Sequence, residues 1–225
     1  MTSDKSGDVF PLVLHRRDLL KDGAVAAGAI AGLGLSGAAG AVTTQPISKE
    51  MAARVQFEIV NDLDSYVPKA LSEAELATLK AAIDQLIPAD DIGPSASGAG
   101  VFVYIDCSLA KPYAEHVPLY QEGLAALDAA AGAAGFAGAP ADQQIEILTQ
   151  AEAGEVAPGF FEMLLAHTQE GMFADPMYGG NRDFAGWDLL GYPGIRMVWT
   201  PADQDFGAEI EPAHKSAADF GGYPL

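Results

Sequence analysis

The sequence predicts an all-α protein, an irregular helical bundle of about five to six helices with long loops and an extended C-terminal tail. Three observations predict it. Apolar residues recur at helical spacing as the dominant pattern of the chain after the first 41 residues, from Leu76 onward. The periodic stretches begin and end on helix start and stop residues, among them a Ser-x-x-Glu box and several prolines and glycines. Period-two alternation is confined to one short run, Val55-Gln56-Phe57-Glu58-Ile59, which reads as extended chain or a short strand.

The first element is a processing segment. His15-Arg16-Arg17-Asp18-Leu19-Leu20-Lys21 precedes a soft apolar run from Gly23 to Val42, and the pair Arg16 and Arg17 with Leu19, Leu20 and Lys21 resembles the twin-arginine signal that exports folded proteins. Asp18 and Leu19 stand where that signal more often has a variable polar residue and phenylalanine. A spanning helix needs roughly 20 predominantly apolar residues, and this run is rich in Gly, which weakens helices. A transient signal helix is therefore preferred to an anchor or a linker. Ala39-Gly40-Ala41 has the small-x-small pattern of a cleavage site, with cleavage expected before Val42 and Gly37-Ala38-Ala39 as a neighbouring option. The expected organisation is a signal over 1–41, an arm over 42–65, a helical domain over 66–198 and a tail over 199–225.

The helices follow in order. Ser72-Glu73-Ala74-Glu75 is a capping box, and Leu76, Leu79, Ile83, Leu86 and Ile87 form one stripe closed by Pro88. Asp90-Asp91-Ile92-Gly93-Pro94 is a turn, followed by a second apolar helix expected from Ala96 to Ala110 and stopped by Pro112. A third starts near Pro118, carries Leu119, Leu124 and Leu127 inward, and runs to a break at Gly135, its Ala-rich middle allowing close packing. Pro140 opens a fourth with Ile145 and Leu148 inward. Pro158 opens a fifth with Phe161, Leu164, Leu165, Thr168 and Met172 on one stripe. From Pro201 to Leu225 no period is sustained, so that segment reads as a wrapping arm or disorder.

Charge narrows the partners. The formal net charge is -19, and the four basic and four acidic residues of segment 1–41 cancel, so the remainder carries all of it. Such a body repels nucleic acid phosphates and anionic head groups, and no nucleic acid partner is expected. Cys107 is the one cysteine, which excludes an intramolecular disulfide, a haem attachment motif and a cysteine-held cluster within the chain. Its apolar surroundings favour a buried small residue over a reactive thiol.

The densest local signal runs from Glu170 to Gly194. A helix stops at Asp175-Pro176, because the residue before proline disfavours the α region. Gly179-Gly180 allows a turn with positive φ, Asn181 caps a short helix to Leu190, and Gly191 supplies a left-handed C-cap before Pro193. Tyr178 and Trp187 are thereby held on rigid turns.

These segments carry a resemblance. Leu71-Ser72-Glu73-Ala74-Glu75, then Leu86-Ile87-Pro88-Ala89-Asp90-Asp91 with Gly93-Pro94, and the block from Phe173 to Gly194 together resemble the gluconate 2-dehydrogenase subunit 3 family. The resemblance implies a small, non-catalytic subunit of a periplasmic flavin-dependent sugar or sugar-acid dehydrogenase. It implies FAD in a partner large subunit of glucose-methanol-choline type rather than in this chain, and often a cytochrome c subunit that passes electrons on. It also implies passage through the twin-arginine translocase with the large subunit as folded cargo. Under it Asp175, Pro176, Tyr178, Gly179, Gly180, Asn181, Trp187 and Tyr192 are the candidate partner interface, either touching the large subunit or buttressing the surface that does, with the tail wrapping the partner. For Trp187 core packing is the close competitor.

Independent chemistry is thin. His116, His167 and His214 have no helical partner of ligand type and read as surface or satisfied histidines. No nucleophile elbow and no glycine-rich phosphate loop occurs. Asp90-Asp91 reads as turn chemistry rather than a catalytic pair. Tyr178, Trp187 and Trp199 read as core or interface anchors before an electron relay or a sugar cleft. Two other functions fit the residues less well: a free periplasmic ligand-binding or structural protein, and a sugar-modifying enzyme working through the acidic loop.

Overall fold

The computed structural model describes residues 62–220, and these form helices joined by turns, with no strand among them. Five long helices, α1 (Glu73–Leu86), α2 (Val101–Leu109), α3 (Val117–Ala131), α5 (Ala141–Glu152) and α6 (Phe160–Phe173), are joined by two short ones, α4 (Gly135–Gly138) and α7 (Ala185–Leu190). The all-α expectation holds. The run Val55–Ile59, Arg16, Arg17, Leu19, Leu20, Lys21, Ala39 and Ala41 lie outside the described residues.

α1 is the hub, packing against α2, α3, α4, α5 and α6. Its start is the expected reciprocal box: the Glu75 N–H donates to Ser72 Oγ at 3.3 Å and the Ser72 N–H donates to Glu75 Oε2 at 2.7 Å. Leu76, Leu79, Ile83, Leu86 and Ile87 are all buried, each contributing about 1.5–3 kcal/mol by leaving water. Every residue of α2 is buried, as a helix apolar around most of its circumference must be.

α2 begins later than expected. Ala96–Gly100 is a turn, held by Ser97 donating to Asp84 through its N–H (2.8 Å) and its hydroxyl (2.6 Å), and by the Ala96 N–H donating to Ile87 O. Gly100 then takes φ +77°, and its Cα lies against the Gly179 carbonyl, where a Cβ would come to 3.0 Å. Asp106 interrupts the apolar run of α2 for a structural reason. Fully buried, its carboxylate accepts the Tyr66 hydroxyl (2.6 Å) and the N–H groups of Lys69 (2.6 Å), Ala70 (3.0 Å) and Leu71 (2.9 Å). That clamp sets the chain entering α1 and satisfies a charge that would otherwise be costly to bury. Cys107 is buried beside it, as expected, and burial pushes its thiol up.

In α3 the inward residues are Tyr120, Leu124 and Leu127, with Leu119 half-buried. Close packing centres on Gly123, where a Cβ would stand 2.3 Å from the Phe160 ring. After the break at Gly135 the chain adds the single turn α4, whose Phe136 is fully buried and donates its N–H to Asp128. Pro140 is the N-cap of α5 rather than its first residue, and Gln144, Ile147, Leu148 and Ala151 face inward while Ile145 is half-buried. α6 opens at Phe160, after Pro158, with Phe161, Leu164, His167, Thr168 and Met172 buried and Leu165 half-buried. Asp90 makes the expected turn, its Oδ1 accepting the Ile92 and Gly93 N–H groups.

Candidate partner interface

The last carbonyls of a helix lack intrahelical donors, and at the end of α6 two side chains supply them. Trp187 Nε1–H donates to Phe173 O at 2.9 Å, and Asn181 Nδ2–H donates to Ala174 O at 2.8 Å. The same amide works in the opposite direction through its oxygen, which accepts the N–H groups of Gly186 (2.8 Å) and Trp187 (3.4 Å) at the start of α7. Asn181 thus joins the end of one helix to the start of the next. It does cap the helix to Leu190, but from four residues ahead of Ala185, across a 3₁₀ turn at Arg182–Phe184. The linker is strained: Asn181, Asp183 and Phe184 all take positive φ (48°, 54° and 62°), a conformation that costs non-glycine residues and persists where the surroundings dictate it.

Backbone approach explains the glycines. Gly179 takes φ +97° as the turn requires. Gly180 does not; its role is contact, because a Cβ there would stand 2.1 Å from Gly171 O. Gly186 is equally tight, 1.8 Å from Met172 O. The block from Asp175 to Gly191 is therefore laid directly on the main chain of the last turn of α6, and Gly191 ends α7 in the expected left-handed cap (φ 65°).

This geometry sorts the candidate interface residues. Gly180, Asn181 and Trp187 are buried, the last at 6% exposure. Asp175, Pro176, Tyr178 and Gly179 are half-buried. Tyr192 is 42% exposed and stands edge-on to Trp187 at 4.8 Å. Trp187 consequently packs as core and reaches the surface only as the floor of an open cleft of about 540 Å³, walled by Phe173, Leu190, Tyr192 and Pro193. Phe173 also lines a second cleft, of about 390 Å³, with Tyr104, Tyr113, Glu170 and Tyr178.

A polar chain backs that second cleft. Glu170 Oε2 accepts the hydroxyls of Tyr104 (2.8 Å) and Tyr113 (3.3 Å), and the Tyr113 ring stacks on His167 at 4.6 Å. His167 Nδ1 pairs with the Tyr120 hydroxyl at 3.0 Å. Burial holds the His167 imidazole below its ordinary value, which leaves it neutral near pH 7. Burial and the bond to Glu170 push the Tyr104 phenol well above its ordinary value. His167 is a satisfied histidine, as expected; its tyrosine partners were not foreseen, although His167 and Glu170, three residues apart, share a helix face.

The tail, expected as a wrapping arm or disorder, is attached to the block over residues 213–217. The Ala217 N–H donates to Asp175 Oδ2 (2.8 Å), His214 Nε2 pairs with Asp188 Oδ1 (2.8 Å), and the His214 ring stacks on Phe184 at 5.0 Å. Main-chain bonds from Ala213 to Pro193 (2.7 Å) and from Ile195 to Lys215 (3.0 Å) complete the attachment.

Among the described residues no helix is long and apolar enough to cross a membrane, and no group of three or more His, Cys, Asp or Glu side chains is placed to hold a metal ion. A family model described as Gluconate 2-dehydrogenase subunit 3 matches residues 73–194, from the first residue of α1 to the end of the block. No curated protein and no solved structure matches the chain.

Proposed function

The chain belongs to the gluconate 2-dehydrogenase subunit 3 family, and from that membership we propose that it is the non-catalytic small subunit of a periplasmic FAD-dependent sugar or sugar-acid dehydrogenase. It binds the flavin-bearing large subunit, stabilises it and escorts it through the twin-arginine pathway. The observation that carries the reading is how the polar side chains of the family block are engaged. Asn181, Trp187 and Asp175 direct their donors and acceptors at the chain's own backbone, and Asp188 pairs with His214 of the tail. A reacting site needs groups aimed at a substrate, whereas a segment that immobilises itself offers a rigid surface, which favours association by lowering its ordering cost.

The export half rests on Arg16 and Arg17. A flavoprotein that folds around its cofactor before crossing a membrane needs a route that accepts folded cargo, and a small subunit bearing the signal provides one. Lysine lacks the planar fork of arginine, so Arg16→Lys with Arg17→Lys is expected to hold the chain in the cytoplasm and remove the flavin-dependent dehydrogenase activity from the periplasm. Undiminished periplasmic activity in that double variant contradicts the escort role.

A further inference from the structure

The segment just past the family block presents apolar side chains to water. Met197 and Val198 are 73% and 74% exposed, Trp199 is 44% exposed, and Phe206 is fully exposed. Single exposed apolar residues are ordinary; three in a row, with a fully exposed phenylalanine seven residues on in the same segment, concentrate apolar surface as interaction sites do.

The backbone beneath them is ordered by its own chemistry. Asp203 Oδ2 accepts both the N–H and the hydroxyl of Thr200 at 2.8 Å, and the Asp203 N–H returns to Thr200 Oγ1 at 3.3 Å. Those bonds hold the Asp203 carboxyl below its usual range and tie Thr200 to the 3₁₀ turn Ala202–Gln204. Gln204 Nε2 donates to Trp199 O at 3.4 Å. Arg196 lies 5.5 Å from the Trp199 ring centre and donates through Nη2 to Glu211 O, so that cation is already engaged within the chain.

Charge selects the occupant. From Met197 to His214 the chain has four carboxylates, Asp203, Asp205, Glu209 and Glu211, and no lysine or arginine. A second copy docking symmetrically sets this acidic rim against itself, and an anionic lipid surface is repelled. A protein with an apolar socket ringed by lysine and arginine is complementary.

We propose that Met197, Val198, Trp199 and Phe206 form a docking strap that inserts into a basic-rimmed apolar socket on the flavin-bearing subunit, outside the segment common to the family. This rests on the accessory-subunit reading above. The buried family block is the rigid base. The strap, anchored to it through Ile195 and Ala213, makes the contact.

The test uses the full chain and the flavoprotein recovered from its wild-type complex. Binding is measured for Met197→Ser/Val198→Ser/Trp199→Ser together, for Phe206→Ser alone, and for Val67→Ser, an equally exposed residue far along the chain (75%). The triple variant is expected to bind at least about tenfold more weakly, the Phe206 variant several-fold more weakly, and the Val67 variant like wild type, with circular dichroism and melting unchanged. Asp205→Asn with Glu209→Gln is expected to slow association and flatten its salt dependence. Wild-type binding by both the triple variant and the Phe206 variant overturns the strap while leaving the accessory role intact. Strap variants that lose only self-association, or only binding to phosphatidylethanolamine–phosphatidylglycerol vesicles, overturn it too. If the wild-type chain captures no flavoprotein, the accessory role itself fails and the strap with it.

Discussion

The indole N–H of Trp187 donates to the main-chain carbonyl of Phe173 at 2.9 Å, tying the block back onto the helix that precedes it. Beside it the Asn181 amide closes the next carbonyl and the first N–H groups of α7. Removing the Asn181 side chain leaves the buried N–H groups of Gly186 and Trp187 without that acceptor, and removing the indole leaves the half-buried Phe173 carbonyl without that donor. Asn181→Ala is expected to cost about 2–3 kcal/mol. Trp187→Phe, which keeps most of the volume, is expected to cost about 1–3 kcal/mol, and Trp187→Ala about 3–5 kcal/mol. Urea unfolding of the three variants checks the order.

The glycines of the block give a sharper contrast. At Gly180 and Gly186 a Cβ meets backbone oxygen at 2.1 and 1.8 Å, and backbone yields poorly. Either Gly→Ala substitution is expected to destabilise by about 3 kcal/mol or more. At Gly138 the nearest atom is the Ala134 Cβ at 3.6 Å, so Gly138→Ala is expected to stabilise by about 0.4–1 kcal/mol through the unfolded chain. Melting temperatures that move alike in all three contradict the close-approach reading.

His167 supplies a pH dependence. Its folded value lies below the ordinary 6.5, chiefly through burial, with Glu170 opposing and His116 adding to the shift. Between the folded and unfolded values the unfolded chain binds a proton that the folded chain does not, so stability rises with pH. The contribution is complete above about pH 6.5 and is lost as the pH falls below it. Melting is expected to drop between about pH 7.5 and 5, and to drop less in His167→Gln than in wild type. Parallel curves for the two proteins contradict it.

Much of the scaffold was legible because it is local. The Ser72–Glu75 box, the stripe of α1, the Asp90 turn and the Gly191 cap depend on residues within a few positions of one another. What escaped depends on distant partners. Ala96–Gly100 reads as continuous with the apolar helix that follows it, yet Asp84 and Ile87 bond it into a turn, which its two glycines allow. Asp106 sits in an apolar run because its donors lie 35 to 40 residues earlier. In α3 and α5 large apolar residues stand at neighbouring positions, so the stripe alone does not settle which one faces inward, and Leu119 and Ile145 stood in for Tyr120 and Ile147. The tail has no period because main-chain bonds to Pro193 and Ile195 hold it, and these leave no pattern of side chains. Within the block the turn glycines and the helix stop were visible. The burial of Asn181 was not, since sequence gives no account of which face of a rigid turn meets solvent, and for Trp187 core and interface stood as close competitors until its 6% exposure placed it in the core.

The most direct test of the accessory role is to recover the full chain through an affinity tag from its native periplasm and read flavin absorbance and dye-linked sugar oxidation, first on the assembly and then on the separated chains. The account expects a co-eluting flavoprotein that keeps both the flavin absorbance and the activity, while the separated small chain has neither. Flavin or sugar oxidation that stays with the small chain, or its recovery without any flavoprotein, contradicts it.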